Sequence, residues 1–176
     1  MEDMQADVLS GEQCPFCLKK TLTLREAERE IPYFGKIAIF SMTCENEECE
    51  YHKSDLEALE KKPAVKNSFK VEKEEDLNVR VIKSSFAKIT IPRIGSIEPG
   101  EASNGYITTI EGVINRIKKQ IENIRDLAED NSDKKKAKNL LKKLNKVLMG
   151  SEELTINIED PTGNSAIISD KTTKKS

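Results

Sequence analysis

Four cysteines constrain the fold of this 176-residue chain more than any other feature of its sequence. Cys14 and Cys17 are separated by two residues, 26 residues follow, and Cys44 and Cys49 are separated by four. Two thiolates on a short C-x2-C turn can occupy adjacent corners of the tetrahedron that Zn²⁺ prefers. The spacing predicts one structural zinc ion bound by all four cysteines, with no open coordination position for catalysis.

The segment between the two cysteine pairs is typical of a long β-hairpin. "TLTL" and "KIAIFSM" are rich in β-forming residues, and Pro32 and Gly35 indicate a turn between them. Such a hairpin would return the second pair to the first, which is the arrangement of a zinc ribbon. We therefore expect a four-cysteine zinc ribbon over residues 14–53, with Tyr33 and Phe34 at its turn as candidate partner-binding residues. Packing of these two side chains on the domain that follows is the alternative.

The identity of the fourth ligand has an alternative. His52 is the single histidine of the chain, and it follows Cys49 at the C-x2-H spacing. A site of Cys14, Cys17, Cys49 and His52 is therefore conceivable, although Cys44 is favoured because it ends the returning strand. A redox pair or ordinary buried thiols are further alternatives, but a redox C-x-x-C motif belongs near a βαβ pattern, which this region lacks.

The remainder of the sequence predicts a second, mainly β region. Segments such as "LNVRVI" and "AKITIP" alternate apolar and polar residues, as half-buried strands do. We expect a flexible N-terminus over 1–13, a polar linker over 54–65, a β domain over 66–170 and a disordered tail over 171–176. "LTINIEDPTGNSAIISD" predicts two strands around a hairpin turn at 160–164, not a binding site.

A helical hairpin is predicted inside the β domain, at about 109–149. Thr108 and Glu111 have the spacing of a capping box, and apolar residues then recur every three or four positions in two stripes. The simplest interpretation of these stripes is that the two helices pack against each other. The second helix carries seven lysines between Lys134 and Lys146. They are either an ordinary solvated face or a surface for an acidic partner or for nucleic-acid phosphate, with Lys138 and Lys142 as candidate binding residues.

Composition and charge exclude several classes of function. No apolar run approaches the length of about 20 residues that spans a bilayer, and the N-terminus lacks the apolar core of a secretory signal, so we expect a cytoplasmic protein. Beyond residue 52 there is no His or Cys, so we expect no catalytic residue and no small-molecule substrate. Residues 1–60 carry 14 acids and 6 bases, and "CENEECE" would repel phosphate. Nucleic-acid binding by the ribbon is therefore kept only as an alternative.

Five segments taken in order resemble a known family. "CPFC", "REIPYFGKIAIFSMTC", "VIKSSFAKITIP", "GYITTIEG" and "EDPTGNSAI" resemble segments of the zinc-finger proteins called ZPR. The resemblance implies a zinc ribbon followed by a jelly-roll-like double-stranded β-helix domain with a helical hairpin, in one module where eukaryotic members have two. It also implies a protein without enzymatic activity that binds translation elongation factor 1-alpha and assists its folding.

Overall fold

The computed structural model describes residues 7–31, 35–58, 62–100 and 103–175. The chain is mainly β, and an N-terminal ribbon is followed by a β domain that contains two helices. The ribbon is an antiparallel sheet with the strand order β1-β2-β3-β4. Its strands are β1 (Asp7–Glu12), β2 (Leu22–Ile31), β3 (Gly35–Cys44) and β4 (His52–Ala58).

The central hairpin of the ribbon brings the two cysteine pairs together. β2 and β3 have ten residues each and are paired along their whole length, from Leu22 opposite Cys44 to Ile31 opposite Gly35. Cys44 is thus the last residue of β3 and lies beside the start of β2, close to the first cysteine pair. The predicted hairpin turn with Tyr33 and Phe34 lies outside the described residues.

Two predictions about the borders of the ribbon are wrong. Residues 7–12, expected to be flexible, form β1, which pairs with β2 although every one of its side chains is exposed. Residues 54–58, expected to belong to a linker, form most of β4, in which Leu56 is buried and Ile39 of β3 is its partner. Both strands are held mainly by backbone hydrogen bonds, which leave little trace in a hydrophobic pattern.

The β domain consists of two antiparallel sheets. A five-stranded sheet has the order β12-β5-β10-β7-β8, and a three-stranded sheet has the order β11-β6-β9. The strands are β5 (Val65–Val71), β6 (Arg80–Lys83), β7 (Lys88–Ile91), β8 (Gly95–Ile97), β9 (Tyr106–Thr109), β10 (Leu154–Asp160), β11 (Ala166–Ile167) and β12 (Thr173–Lys175). A short 3-10 helix, Glu74–Asn78, lies between β5 and β6.

The turn after β10 does not close a hairpin, contrary to the sequence prediction. β10 pairs with β5 and β7, whereas β11 pairs with β6 in the other sheet, so the turn carries the chain between the sheets. Asp160 at this turn is only 2% exposed and accepts hydrogen bonds from the hydroxyls of Ser84 at 2.7 Å and Ser165 at 2.6 Å. The turn residues therefore tie the two sheets together through a buried carboxylate.

The helical hairpin consists of α1 (Ile110–Leu127) and α2 (Asn131–Leu148). The hydroxyl of Thr109, one residue after the predicted cap Thr108, accepts from the N–H of Gly112. At the start of α2, the carboxylate of Asp130 accepts from the N–H of Ser132. The apolar stripes do not pack only against each other. They share one buried cluster with side chains of the strands, including Phe69 of β5.

The C-terminal segment contains a strand within residues 171–175, although residues 171–176 were expected to be disordered; Ser176 lies outside the described residues. β12 pairs with the edge strand β5, from Thr173 opposite Ser68 to Lys175 opposite Lys66. The ammonium of Lys171 also contacts the buried carboxylate of Asp76 at 2.9 Å. The edge of a sheet offers unpaired backbone groups, so even a polar segment can add a strand there.

The ribbon packs directly on the β domain. Ile37 and Leu56 of the ribbon form a buried cluster with Ile82 and Ala166 of the domain. The carboxylate of Asp55 accepts the backbone N–H of Gly105 at 2.6 Å. A side chain at Gly105 would collide with the carbonyl oxygen of Leu56, since a Cβ there would lie 2.6 Å from it.

Neither the length nor the hydropathy of any helix in the described part of the chain is sufficient for spanning a membrane.

Candidate metal centre

The four cysteine sulfurs lie at one end of the ribbon, within 4.8 Å of one another. The sulfurs of Cys14 and Cys49 are 3.9 Å apart, and those of Cys17 and Cys44 are 3.7 Å apart. Sulfurs placed tetrahedrally at about 2.3 Å from a zinc ion would be about 3.8 Å apart, whereas a disulfide needs about 2.05 Å. The geometry is therefore that of a metal site.

The backbone around the first cysteine pair is shaped for metal binding. The N–H of Leu18 donates to the carbonyl of Cys14 at 2.9 Å, and the N–H of Cys14 donates to the carbonyl of Lys19 at 2.9 Å. The N–H of Phe16 points at the sulfur of Cys14 at 3.4 Å, which stabilises a thiolate. Leu18 has φ 61, a strained value that closes this turn.

The longer second pair is closed by its own hydrogen bonds. The N–H of Cys49 donates to the carbonyl of Asn46 at 2.8 Å, and the N–H of Cys44 donates to the carbonyl of Tyr51 at 3.0 Å. The N–H of Glu45 donates to the carbonyl of Thr21 at 2.8 Å, which ties the loop to the start of β2. Four intervening residues are thus accommodated by a wider turn, and Cys49 still reaches the cluster.

The surroundings of the metal site shift the pKa values of three of its thiols. The hydroxyl of Thr21, 3.2 Å from the sulfur of Cys44, lowers the pKa of Cys44 to about 6. The backbone at Lys19 likewise lowers the pKa of Cys17. A backbone hydrogen bond at Tyr51 favours the thiolate of Cys49, but burial and the three neighbouring thiols outweigh it and raise the pKa of Cys49 to about 12. Four thiolates so close together need a metal cation to share their charge.

His52 lies outside this cluster. It is the exposed first residue of β4, and its Nδ1 is 3.2 Å from the hydroxyl of Thr43 on the neighbouring strand. The strand directs Cys44 toward the other sulfurs, whereas His52 faces Thr43 in the β3–β4 ladder. The structure thus brings together the favoured set of four cysteines and not the alternative set that contains His52.

A cleft of about 500 Å³ lies beside the metal site, and both aromatic and acidic side chains line it. Phe16, on the turn between the first two cysteines, is 79% exposed. The cleft is lined by Phe16, Glu47, Glu48, Glu50, Tyr51 and His52. The sequence indicated the acidic character of this end, but not that an aromatic side chain would stand in solvent beside the glutamates.

The other candidate binding residues are not among the residues of the metal site. Lys138 and Lys142 are exposed on α2, and neither takes part in any ion pair found among the described residues. Tyr33 and Phe34 fall in the gap at 32–34, so the structure says nothing of them. Sequence reasoning also missed Thr21, whose hydroxyl bonds to Cys44 and could be recognised only once β2 and β3 were in register.

Comparison with known families agrees with this architecture. Residues 7–62 match the ZPR1 zinc-finger domain, and residues 75–176 match the ZPR1 jelly-roll domain. The chain belongs to the ZPR1 zinc-finger family. The resemblance seen in the sequence is therefore confirmed, together with its fold of a zinc ribbon followed by a jelly-roll domain. The cofactor is one structural zinc ion, for which the four cysteines are suitably placed.

Relatives of this chain occur in archaea and eukaryotes. A ZPR1-like protein of Methanocaldococcus jannaschii is 40% identical over 88% of this chain and 78% of the relative. A ZPR1-like protein of Pyrococcus horikoshii is 38% identical over 90% of this chain and 72% of the relative. The zinc finger chaperone zpr1 of Schizosaccharomyces pombe is 34% identical over 78% of this chain, but the match covers only 30% of that longer protein.

Proposed function

We propose that this chain is a non-enzymatic zinc-binding protein that binds translation elongation factor 1-alpha in the cytoplasm and assists its folding. The carrying observation is membership in a family in which the fission yeast relative is named a zinc finger chaperone. The elongation factor comes from the family resemblance of the sequence. The match covers only 30% of the fission yeast protein, so the proposal includes no interface on the remainder of that protein.

The proposed role of the zinc is structural. Cys14, Cys17, Cys44 and Cys49 would hold it as a closed set of four thiolates, which leaves no coordination position for water or substrate. The ion would fix the turn that presents Phe16 and the loop that carries Glu47 and Glu48. Catalysis by the metal would require an open position and a nearby general base, and the thiolate set supplies neither.

Exposed apolar side chains support a role in protein binding. Phe16 and Leu18 on the ribbon are 79% and 67% exposed, and Leu127 on the helical hairpin is 82% exposed. Exposed apolar side chains that form a contiguous patch mark protein-binding surfaces, and Leu127 lies beside the same groove as Ile124, which is 59% exposed. A protein that assists folding needs such surfaces, because unfolded clients expose apolar segments of their own.

The test is retention of purified elongation factor 1-alpha by the immobilised full-length chain, in the presence of GDP and of GTP. Retention is expected from the wild type, with weaker retention by the double variants Lys138→Glu/Lys142→Glu and Tyr33→Ala/Phe34→Ala. The matched control is Lys119→Glu/Lys174→Glu, which reverses two exposed charges elsewhere and should retain the factor normally. Absence of retention in both nucleotide states would reject the proposal.

The same preparation distinguishes the alternative function. The glutamates of the cleft lie at the metal end of the ribbon, and their negative charge disfavours the binding of phosphate. We therefore expect no binding of RNA or duplex DNA at about 150 mM salt, where purely electrostatic contacts are strongly weakened. Binding of either nucleic acid that persists under these conditions, together with no retention of the elongation factor, would favour a nucleic-acid-binding ribbon.

A further inference from the structure

The apolar face of α1 continues beyond the part that packs on the β domain. Ile117 and Ile121 are 1% and 5% exposed, whereas Ile124 and Leu127 are 59% and 82% exposed. Residues at these three- and four-residue steps lie on one side of a helix. The end of the hairpin therefore presents to solvent the same face that is buried near its base.

A groove between the two helices lies at this end of the hairpin. Its volume is about 460 Å³, and its walls are mostly aliphatic. The aliphatic lining includes Ile94, Ile121, Ile124, Leu127, Ala137 and Leu140. The polar side chains that line it are Asp133 and Lys136. They form an ion pair with each other at 3.0 Å and so need no charged group of a ligand.

The α2 helix, which supplies one wall of the groove, is strongly basic, and Lys136 is the lysine among the groove's lining residues. Two of its seven lysines are in ion pairs, Lys136 with Asp133 and Lys143 with Glu152. The others make no ion pair with the described part of the chain: Lys134, Lys135, Lys138, Lys142 and Lys146. An apolar groove beside an excess of positive charge is complementary to a ligand that is apolar on one side and acidic on its flanks.

We propose that this groove binds an acidic amphipathic helix of a partner protein. Apolar side chains at positions i, i+3, i+4 and i+7 would enter between α1 and α2, and glutamates or aspartates beside them would meet the lysines. A helix fits better than an extended peptide, because α1 and α2 supply most of the lining and no described strand residue, whose backbone N–H and C=O groups a peptide could pair with, lines the groove. A nucleic acid fits poorly, because the lining is aliphatic.

This inference deepens the proposed function, since it assigns a chemistry to the partner of the hairpin. It rests on that function only for the expectation that the partner is a protein. Its test therefore uses a synthetic peptide and no elongation factor, so that either idea can fail without the other.

The probe is a fluorescein-labelled peptide with leucines at i, i+3, i+4 and i+7 and glutamates at most remaining positions. Its fluorescence anisotropy is followed during titration with the full-length zinc-loaded chain. Two control peptides have the same length: one carries lysines in place of the glutamates, and the other has the same composition in an order without an apolar stripe. Saturable binding of the acidic amphipathic peptide alone is expected.

Variants then locate the binding to the groove. Leu127→Gln should weaken binding of the acidic peptide about tenfold or more, because it removes a large apolar contact. Met149→Gln is the matched control, since Met149 is 78% exposed at the opposite end of α2 and should leave binding unchanged. Lys135→Glu/Lys138→Glu should weaken binding of the acidic peptide and improve binding of the basic one. Helical circular dichroism verifies that each variant is folded.

Several outcomes would overturn the proposal. The groove does not recognise an amphipathic helix if the control peptide without an apolar stripe binds as well as the acidic amphipathic peptide. Unchanged binding of the acidic peptide by Leu127→Gln would show the same. Preference for the basic peptide would contradict the assigned charge. A dimer in light scattering that Leu127→Gln converts to monomer would show that a second copy of this chain occupies the groove instead.

Discussion

The zinc ribbon and the β domain are each stabilised by a different kind of interaction. The domain has one large buried cluster to which both helices and strands from both sheets contribute. At the metal end of the ribbon, the buried cluster consists of Leu22 and three of the four cysteines. A region with so little apolar core needs another source of stability, and a structural metal is a common one in proteins. The ribbon is thus expected to depend on zinc, and the domain on packing.

The largest effect should come from the metal ligands. Structural zinc contributes about 10–16 kcal/mol of apparent binding free energy in small zinc-binding units, and loss of one thiolate removes much of it. Cys44→Ser should therefore purify with almost no zinc by mass spectrometry, whereas His52→Ala should keep about one zinc per chain. Zinc retained at full stoichiometry by Cys44→Ser, with loss in His52→Ala, would assign the fourth ligand to His52.

A core substitution should act on the other region. Phe69 is fully buried in the cluster of the β domain, and Phe→Ala changes at such sites cost about 3–5 kcal/mol. Phe69→Ala should therefore lower the free energy of unfolding of the β domain. Urea unfolding followed by helical circular dichroism measures this quantity, because both described α-helices belong to this domain. Phe86→Ala is the control: Phe86 is 61% exposed and should change stability by less than about 0.5 kcal/mol. Equal effects of the two variants would mean that this core is not what stabilises the domain.

A smaller, pH-dependent effect is expected at the turn that joins the two sheets. Burial disfavours the carboxylate of Asp160, but hydrogen bonds from Ser165, Thr162 and Ser84 outweigh it and lower its pKa. A lowered folded-state pKa stabilises the protein above the unfolded value of about 3.9, and this contribution is lost as pH falls through the folded pKa.

Asp160→Asn should therefore destabilise the domain at neutral pH by about 1.5–3 kcal/mol, the range for hydrogen bonds to a charged group. The difference from wild type should shrink as the pH is lowered below about 4. Urea unfolding at several pH values, followed by helical circular dichroism, measures both quantities. The exposed Asp170→Asn is the control. A difference that stays constant with pH would refute the role of the ionised carboxylate.

The predictability of the fold also differed between kinds of element. The four cysteines, the β2–β3 hairpin and the helical hairpin could be predicted because each has its own local pattern of ligands or apolar residues. β1 and β12 could not, because their described side chains are exposed and their stability comes from backbone pairing with β2 and with β5. β4 was missed for a related reason, since Leu56 is its one buried side chain among those described.

The candidate site shows the same limit. Spacing was enough to predict which cysteines converge, and the structure places Cys44 as expected. The role of Thr21 depends on its contact with Cys44, which is distant in sequence. Outside the metal site, the role of Asp160 likewise depends on its contact with the distant Ser84. The turn residues from Asp160 to Asn164 have strong turn propensity, which masked the buried carboxylate among them.

Amide hydrogen exchange of the zinc-loaded and the chelated protein tests the central claim most directly, because it reports the stability of each strand separately. After removal of zinc, we expect the amides of β2 and β3 near the metal site to lose their protection, while those of β5, β10 and both helices keep theirs. Loss of protection throughout the chain would contradict the account, since it would show that the β domain also depends on the metal. Unchanged protection in the ribbon would contradict it as well.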